Sequence, residues 1–141
     1  MSFASYDASQ VIVTFAGSII SGYADGTFVT VEFDEQQYNK VTGADGLTQR
    51  SKTGNYAGSV SITLLNGSAS NDVLSVAWNS DRVNNSGKGA LLVKDLSGRT
   101  LWQAKNAWVR QMPSQGFGKD AENREWVMDC DALSGQAGGN T

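Results

Sequence analysis

Carboxylates spaced two apart in alternating runs are the residues of this chain best placed for chemistry. Glu32 and Asp34 stand in Thr27-Phe28-Val29-Thr30-Val31-Glu32-Phe33-Asp34-Glu35, and Asp129 and Asp131 repeat the spacing in Trp126-Val127-Met128-Asp129-Cys130-Asp131. Side chains alternate across an extended chain, so each pair shares a face with β-carbons roughly 7 Å apart. That separation overlaps the one used in paired-carboxylate glycoside hydrolysis. A sugar cleft also needs aromatic platforms beside the acids. Trp102 and Trp108 share a parity with Ala104, and Trp126 shares one with Met128 and Cys130, so all three tryptophans read as core. A solvated strand face is the simpler reading of both pairs. A carbohydrate-binding or glycoside-cleaving β-sandwich is the alternative of another class.

Other chemistries are narrower still. Histidine is absent, which removes Ser-His-Asp and Cys-His catalysis and His-ligated metal sites. The single cysteine, Cys130, has no second cysteine in the chain for a disulfide or a multi-cysteine metal site, and its alternating context reads as an inert buried thiol. Ser86-Gly87-Lys88-Gly89 lacks the first glycine and the Ser/Thr of a phosphate-binding loop, and a strand pattern follows it instead of a helix. Asp25-Gly26 and Asp45-Gly46 are turn chemistry without the oxygen-ligand run a calcium ion needs. The expectation is a chain with no catalytic residues, no cofactor and no metal.

Charge excludes a further class. The chain carries a formal charge of −3 and a pI near 4.8. Gripping nucleic acid takes a basic stripe, and Arg50-Ser51-Lys52 or Arg82 with Lys88 are too sparse to make one. No apolar run approaches the ~20 residues that span a bilayer, and Met1-Ser2-Phe3 starts no signal peptide, so no membrane insertion is expected. Charged residues make up only 18% against 40% hydrophobic, which suits surfaces covered by neighbouring subunits.

The elements that must position these residues are mostly strands. Val11 to Phe15 opens the series, Gly17 and Gly22 bracket Ile19-Ile20, and Ala24-Asp25-Gly26 turns into the Thr27–Glu35 run. There Val29, Val31 and Phe33 face one way and Thr30, Glu32 and Asp34 the other. In Tyr56 to Leu64, Val60, Ile62 and Leu64 oppose Ser59, Ser61 and Thr63. A sheet so divided packs on one face and meets water on the other. Residues 36–55, punctuated by Gly43, Asp45-Gly46 and Gly54, read as the far end of a long projecting hairpin, mobile when alone. Ser70-Asn71-Asp72 caps a predicted helix, Asp72 to Ser80, whose apolar face is Val73, Leu74, Ala77 and Trp78. Ala90 to Lys94, Leu101 to Gln111 and Arg124 to Ala132 complete the strands, and residues 134–141 read as a flexible tail. Fold class is therefore mainly β: one domain over 1–141, a β-sandwich or open barrel of about six or seven strands with one flanking helix.

The order and spacing of several segments resemble a phage structural family. They are Ile20-Ser21-Gly22-Tyr23-Ala24-Asp25-Gly26-Thr27-Phe28-Val29, Val41-Thr42-Gly43-Ala44-Asp45-Gly46, Ser70-Asn71-Asp72-Val73-Leu74, Leu92 to Thr100, Gly118-Lys119 and Asn123 to Val127. Across nearly the whole chain this is similar to the tail tube proteins of contractile-tailed phages and prophages, whose fold is shared with the tubes of pyocins and type VI secretion systems. The resemblance implies a non-enzymatic virion protein, assembled in the host cytoplasm into stacked hexameric rings that form the inner tail tube. DNA would pass through it transiently without specific binding. Sheath, tape-measure, baseplate and tail terminator proteins are the implied partners. Placed in that frame, Thr30, Glu32, Asp34, Ser59, Ser61 and Thr63 are lumen candidates, and Asp45, Arg50 and Lys52 inter-ring candidates. A single-ring tail terminator or baseplate tube-like protein is the nearer alternative.

Overall fold

Strand formation follows the alternation closely in the computed structural model, which describes residues 3–140. Met1 and Ser2, where the leader was sought, and Thr141 of the tail lie outside the described residues. The described residues form ten strands and one helix: β1 (Val11–Phe15), β2 (Ser18–Ile20), β3 (Val29–Phe33), β4 (Tyr38–Thr42), β5 (Thr48–Lys52), β6 (Gly58–Leu64), α1 (Ser70–Asn84), β7 (Gly89–Asp95), β8 (Leu101–Val109), β9 (Arg124–Cys130) and β10 (Ser134–Gln136). The class is mainly β, with more strands than the alternation alone predicts. The additional ones are short, as in β2 and β10, or wholly exposed, as in β4 and β5.

One antiparallel sheet runs in the order β2-β1-β7-β8-β9-β6-β3, with β10 also paired to β8; β4 and β5 form a separate two-stranded sheet. The large sheet curls so that its β3 edge faces the central strand β8. Phe33 of β3 sets its ring edge-on against Trp102 of β8, centroids 5.5 Å apart. The chain leaving β2 crosses to the far side of the sheet, where Ala24 donates its N–H to Thr63 (3.0 Å) and Leu65 donates to Gly22 (2.8 Å). Gly22 permits this crossing: its φ is +76°, and a Cβ there would stand 2.5 Å from Ser68. Inside the curl lie Val13, Phe15, Leu91, Val93, Val60, Ile62, Trp126 and Met128. Each of the large buried side chains contributes about 1.5–3 kcal/mol of burial.

The helix is longer than its apolar face predicts, and its start works differently. It spans Ser70–Asn84, and its N-cap, Ala69, offers no side-chain hydrogen bond. Ser70 and Asn71 are buried within the first turn instead of capping it. The Asn71 amide donates to the carbonyls of Leu65 (3.0 Å) and Ser68 (3.1 Å), and its oxygen accepts from Trp126 Nε1 (2.9 Å). A polar side chain so fully satisfied bridges β9, the turn after β6 and the helix start, and its hydrogen bonds offset the cost of its burial. Leu74, Val73, Ala77 and Trp78 press onto the core as the periodicity predicts.

Two further expectations are corrected. The tail is ordered where the structure describes it: β10 pairs with the first part of β8, and Asn140 bridges to Gly98. The pairing vacancy it fills arises because β9 follows only the second part of β8, Ala107 to Val109. Trp108 is also not core. Between Ala104 and Ala107 the register of β8 against β7 shifts by an extra residue, a β-bulge. Trp102 and Ala104 consequently point inward with Ala107 and Val109, while Trp108 turns to the outer face opposite Asp129.

Candidate assembly surfaces

The outer face of β3, β6 and β9 forms a ruled polar wall. In β6 every second residue is buried, which leaves Ser59, Ser61 and Thr63 outward. Register then aligns rows across the strands: Glu32, Ser59, Asp129 and Trp108 in one, Thr30, Ser61 and Val127 in the next, Thr63 and Glu125 in a third. Five of the six lumen candidates are thereby brought onto one surface. Asp34 lies just past the end of β3, but its N–H still donates to Ala57 (3.0 Å), so it continues the same face.

One cation on this wall escaped the sequence reading. Arg110 follows Trp108 at strand spacing, and the bulge that turns Trp108 outward brings Arg110 with it. Its Nε and Nη2 both donate to one carboxylate oxygen of Asp129, at 2.9 and 2.7 Å. The Asp129 hydrogen bonds and charge, with Asp34 further off, raise the guanidinium pKa. Asp131 stands beyond the strand end, where it accepts from Asn106 (2.9 Å), and this bond holds its pKa below the ordinary value. Asp129 and Asp131 are thus each engaged by a different donor and do not act as a pair. The aromatic beside Asp129 faces an acid already occupied by Arg110, a poor start for acid–base chemistry.

Cys130 is buried beneath the wall, and its thiol is pushed up to about 11 by burial first and by the charges of Asp129, Asp131 and Asp34 after it. A thiol held protonated well above neutral pH is a poor nucleophile. The Ser86-Gly87-Lys88-Gly89 loop is likewise committed to structure. The Gly87 N–H, which a phosphate would require, donates to Asp81 (2.8 Å), and a Cβ at Gly87 would lie 2.0 Å from the carbonyl of Ala77. Among the described residues no group of three or more acidic or cysteine side chains is placed to hold a metal ion, and no helix is long and apolar enough to cross a membrane.

Asp45, Arg50 and Lys52 belong to the β4–β5 hairpin, every residue of which is exposed. Its turn is closed by Gly43 N–H to Leu47 (2.7 Å), with the Asp45 carboxylate accepting from the Leu47 N–H (3.2 Å). Arg50 lies over the Tyr38 ring at 4.3 Å and Lys52 over Tyr56 at 5.8 Å, so both cations are held by aromatic faces of their own chain. Asp45 is therefore a turn-forming residue as well as a surface charge. At the other end of the wall, Phe117 stands 84% exposed in the connection between β8 and β9. Its flanking glycines mark a loop and gave no sign of so exposed an aromatic.

Known proteins share both sequence and shape with this chain. A profile of the family described as bacteriophage PhiTE tail tube protein matches residues 1–138. Structural protein ORF10 of Pseudomonas phage KPP10 is 31% identical over 136 residues, which cover 92% of this chain and 79% of that protein. The fold is similar to a chain of the sheath–tube complex of an extracellular contractile injection system (PVC) in its extended state, at a TM-score of 0.67 and 15% identity, covering 94% of this chain and 92% of the other. It is similar also to the tube-terminating cap of the anti-feeding prophage, at a TM-score of 0.64 and 12% identity, covering 96% and 93%. With a match over almost its entire length, the chain belongs to the bacteriophage PhiTE tail tube protein family.

Proposed function

We propose that this tail tube protein is a non-enzymatic subunit that closes into hexameric rings and stacks them into the inner tube of a contractile tail, a conduit for DNA ejection. The observation that carries the reading is the polar wall: three adjacent strands present hydroxyls and carboxylates on a face that buries nothing of its own chain. Lining a lumen, Thr30, Glu32, Asp34, Ser59, Ser61 and Thr63 would offer DNA a wetted surface of its own sign, which repels phosphates and lets the duplex slide. The exposed hairpin with Asp45, Arg50 and Lys52 would set the register between rings. Head-to-tail repetition of such a contact gives an open filament. In this reading the sheath wraps the outside, a tape-measure protein fills the lumen before DNA, a baseplate starts growth and a terminator ends it. Assembly takes place in the host cytoplasm and the product resides in the virion.

A second reading is a terminator that forms one ring and stops. The similarity in fold to the anti-feeding prophage tube-terminating cap and to a PVC sheath/tube terminator favours it. Negative-stain electron microscopy of concentrated protein, beside light scattering, separates the two. Hollow tubes of uniform width support the tube reading. Rings that never stack support the terminator, and a strict monomer with sugar-dependent Trp fluorescence moves the case to a carbohydrate-binding module.

A further inference from the structure

The turn between β6 and α1 carries a reactive pair that neither the fold nor the assembly surfaces use. Leu65-Asn66-Gly67-Ser68 is closed by the Ser68 N–H donating to Leu65 (3.0 Å), and it holds the single Asn-Gly step of the chain. In a tight turn such a step ordinarily serves glycine's freedom to take a positive φ. Gly67 does not use that freedom: its φ lies outside the left-handed region, and a Cβ there would meet nothing within 4 Å. A larger residue would fit. What the glycine supplies is an unshielded backbone nitrogen next to an asparagine.

Both reacting groups are unengaged. Among the described residues neither the Gly67 N–H nor the Asn66 side-chain amide makes a hydrogen bond, and Asn66 is only half-buried, open to water. Other asparagines are held in place. Asn55 accepts from the Ala57 N–H, Asn79 donates to Ser75, Asn106 to Asp131 and Asn140 to Ser5.

We propose that Asn66 is a self-modification site. The Gly67 nitrogen bonds to the Asn66 side-chain carbonyl carbon, the Cγ–Nδ2 bond breaks, and the departing amide nitrogen takes the Gly67 proton and leaves as ammonia. Water then opens the five-membered imide at either carbonyl. One opening gives aspartate, the other isoaspartate, in which the main chain runs through the former side chain. Both products add a negative charge, and isoaspartate also lengthens the main chain by one carbon. Water is the only co-reactant.

The surroundings carry this change into the core. The Asn71 amide donates to three carbonyls of this very turn, Leu65 (3.0 Å), Asn66 (3.4 Å) and Ser68 (3.1 Å), while its oxygen holds Trp126 Nε1 (2.9 Å). The turn is also tied to the crossing chain, by the Leu65 N–H to Gly22 (2.8 Å) and the Ser68 hydroxyl to Ser21 (2.5 Å). An extra main-chain atom between Leu65 and Ser68 cannot keep all of these bonds. It draws carbonyls away from Asn71 and loosens its hold on Trp126.

Peptide mass mapping with electron-transfer fragmentation, on the purified full-length protein incubated warm at pH 8, tests the site. Residue 66 should gain one mass unit ahead of the other asparagines, with isoaspartate exceeding aspartate. Gly67→Ala, which the open space accommodates, should slow the conversion by on the order of tenfold or more. The isoaspartate fraction should show altered Trp fluorescence and a lower midpoint in urea. Freshly made Asn66→Asp, which has the charge without the added atom, should match wild type in both. No conversion at Asn66, aspartate without isoaspartate, or an equal rate in Gly67→Ala would overturn the site. Wild-type fluorescence and urea midpoint in the isoaspartate fraction would overturn its link to the core.

Discussion

Asn71 and Cys130 show how much of this fold depends on single polar atoms being met. The Asn71 amide serves carbonyls on the chain leaving β6 and the indole N–H of Trp126 at once. Asn71→Ala would strand those groups in a buried site, at a cost of about 2–3 kcal/mol, read as a lower midpoint in urea unfolding. Trp126→Phe should cost less through this bond, since it removes the donor with its need for a partner. The double variant should then show coupling of about 1 kcal/mol. Cys130 makes a prediction that depends on pH. Its folded pKa of about 11 stands above the ordinary 9.0. Between these values the unfolded chain loses the thiol proton and the folded chain keeps it, so stability is intact below pH 9 and falls as pH rises toward 11. Two units correspond to about 2–3 kcal/mol at most. Comparing wild type with Cys130→Ala by urea unfolding at pH 8, 9.5 and 11 isolates it: the wild-type loss should be steeper by up to that amount. Parallel pH profiles would show that the thiol is not held neutral by the fold.

At the scale of elements, the hairpin is separable from the barrel. Gln37 and Thr53 already close its base through a backbone bond of 2.9 Å, so residues 38–52 can be replaced by a two-residue Asn-Gly link. This variant should keep the Trp126 environment and thermal unfolding of the parent subunit, yet form no tubes under conditions where wild type does. Tubes of normal width from the shortened chain would remove the hairpin from the stacking contact. The same elements show what was legible beforehand. Strands such as β6 alternate strictly because one face is buried, and that period survives in the residue order. The division of Thr30, Glu32, Ser59, Ser61 and Thr63 from Val29, Val31, Val60 and Ile62 could therefore be read directly. Trp108 could not be placed, because a bulge before it changes the parity and depends on the register with β7, not on local residues. Asn71 looked like a cap because Asn at a helix start is ambiguous until its distant partner, Trp126, is known. The tail was illegible for a related reason: Ser134-Gly135-Gln136 has no strand propensity of its own and is ordered by the free edge that β9 leaves on β8.

At the scale of the whole molecule, the wall in its proposed place along the lumen would do something that no single residue can: admit a polyanion without holding it. Glu32, Asp34 and Glu125 make no ion pair among the described residues, whereas Asp129 is paired with Arg110. Reversing Glu32, Asp34 and Glu125 to Lys while sparing the Asp129–Arg110 pair should leave strand register untouched, because all three side chains are exposed. If the face lines the lumen, assembled tubes of the variant should retain short double-stranded DNA at low salt and release it steeply as salt rises, following counterion release. Wild-type tubes should retain little at any salt. The same substitutions on an outer surface would also attract DNA, but that DNA would be open to nuclease, whereas DNA in the lumen would be protected along its length. Failure of the variant to form tubes would place the wall at a subunit contact, where three reversed charges meet a neighbour instead of water. Protection from nuclease therefore decides between lumen and outside, and assembly decides between lumen and interface.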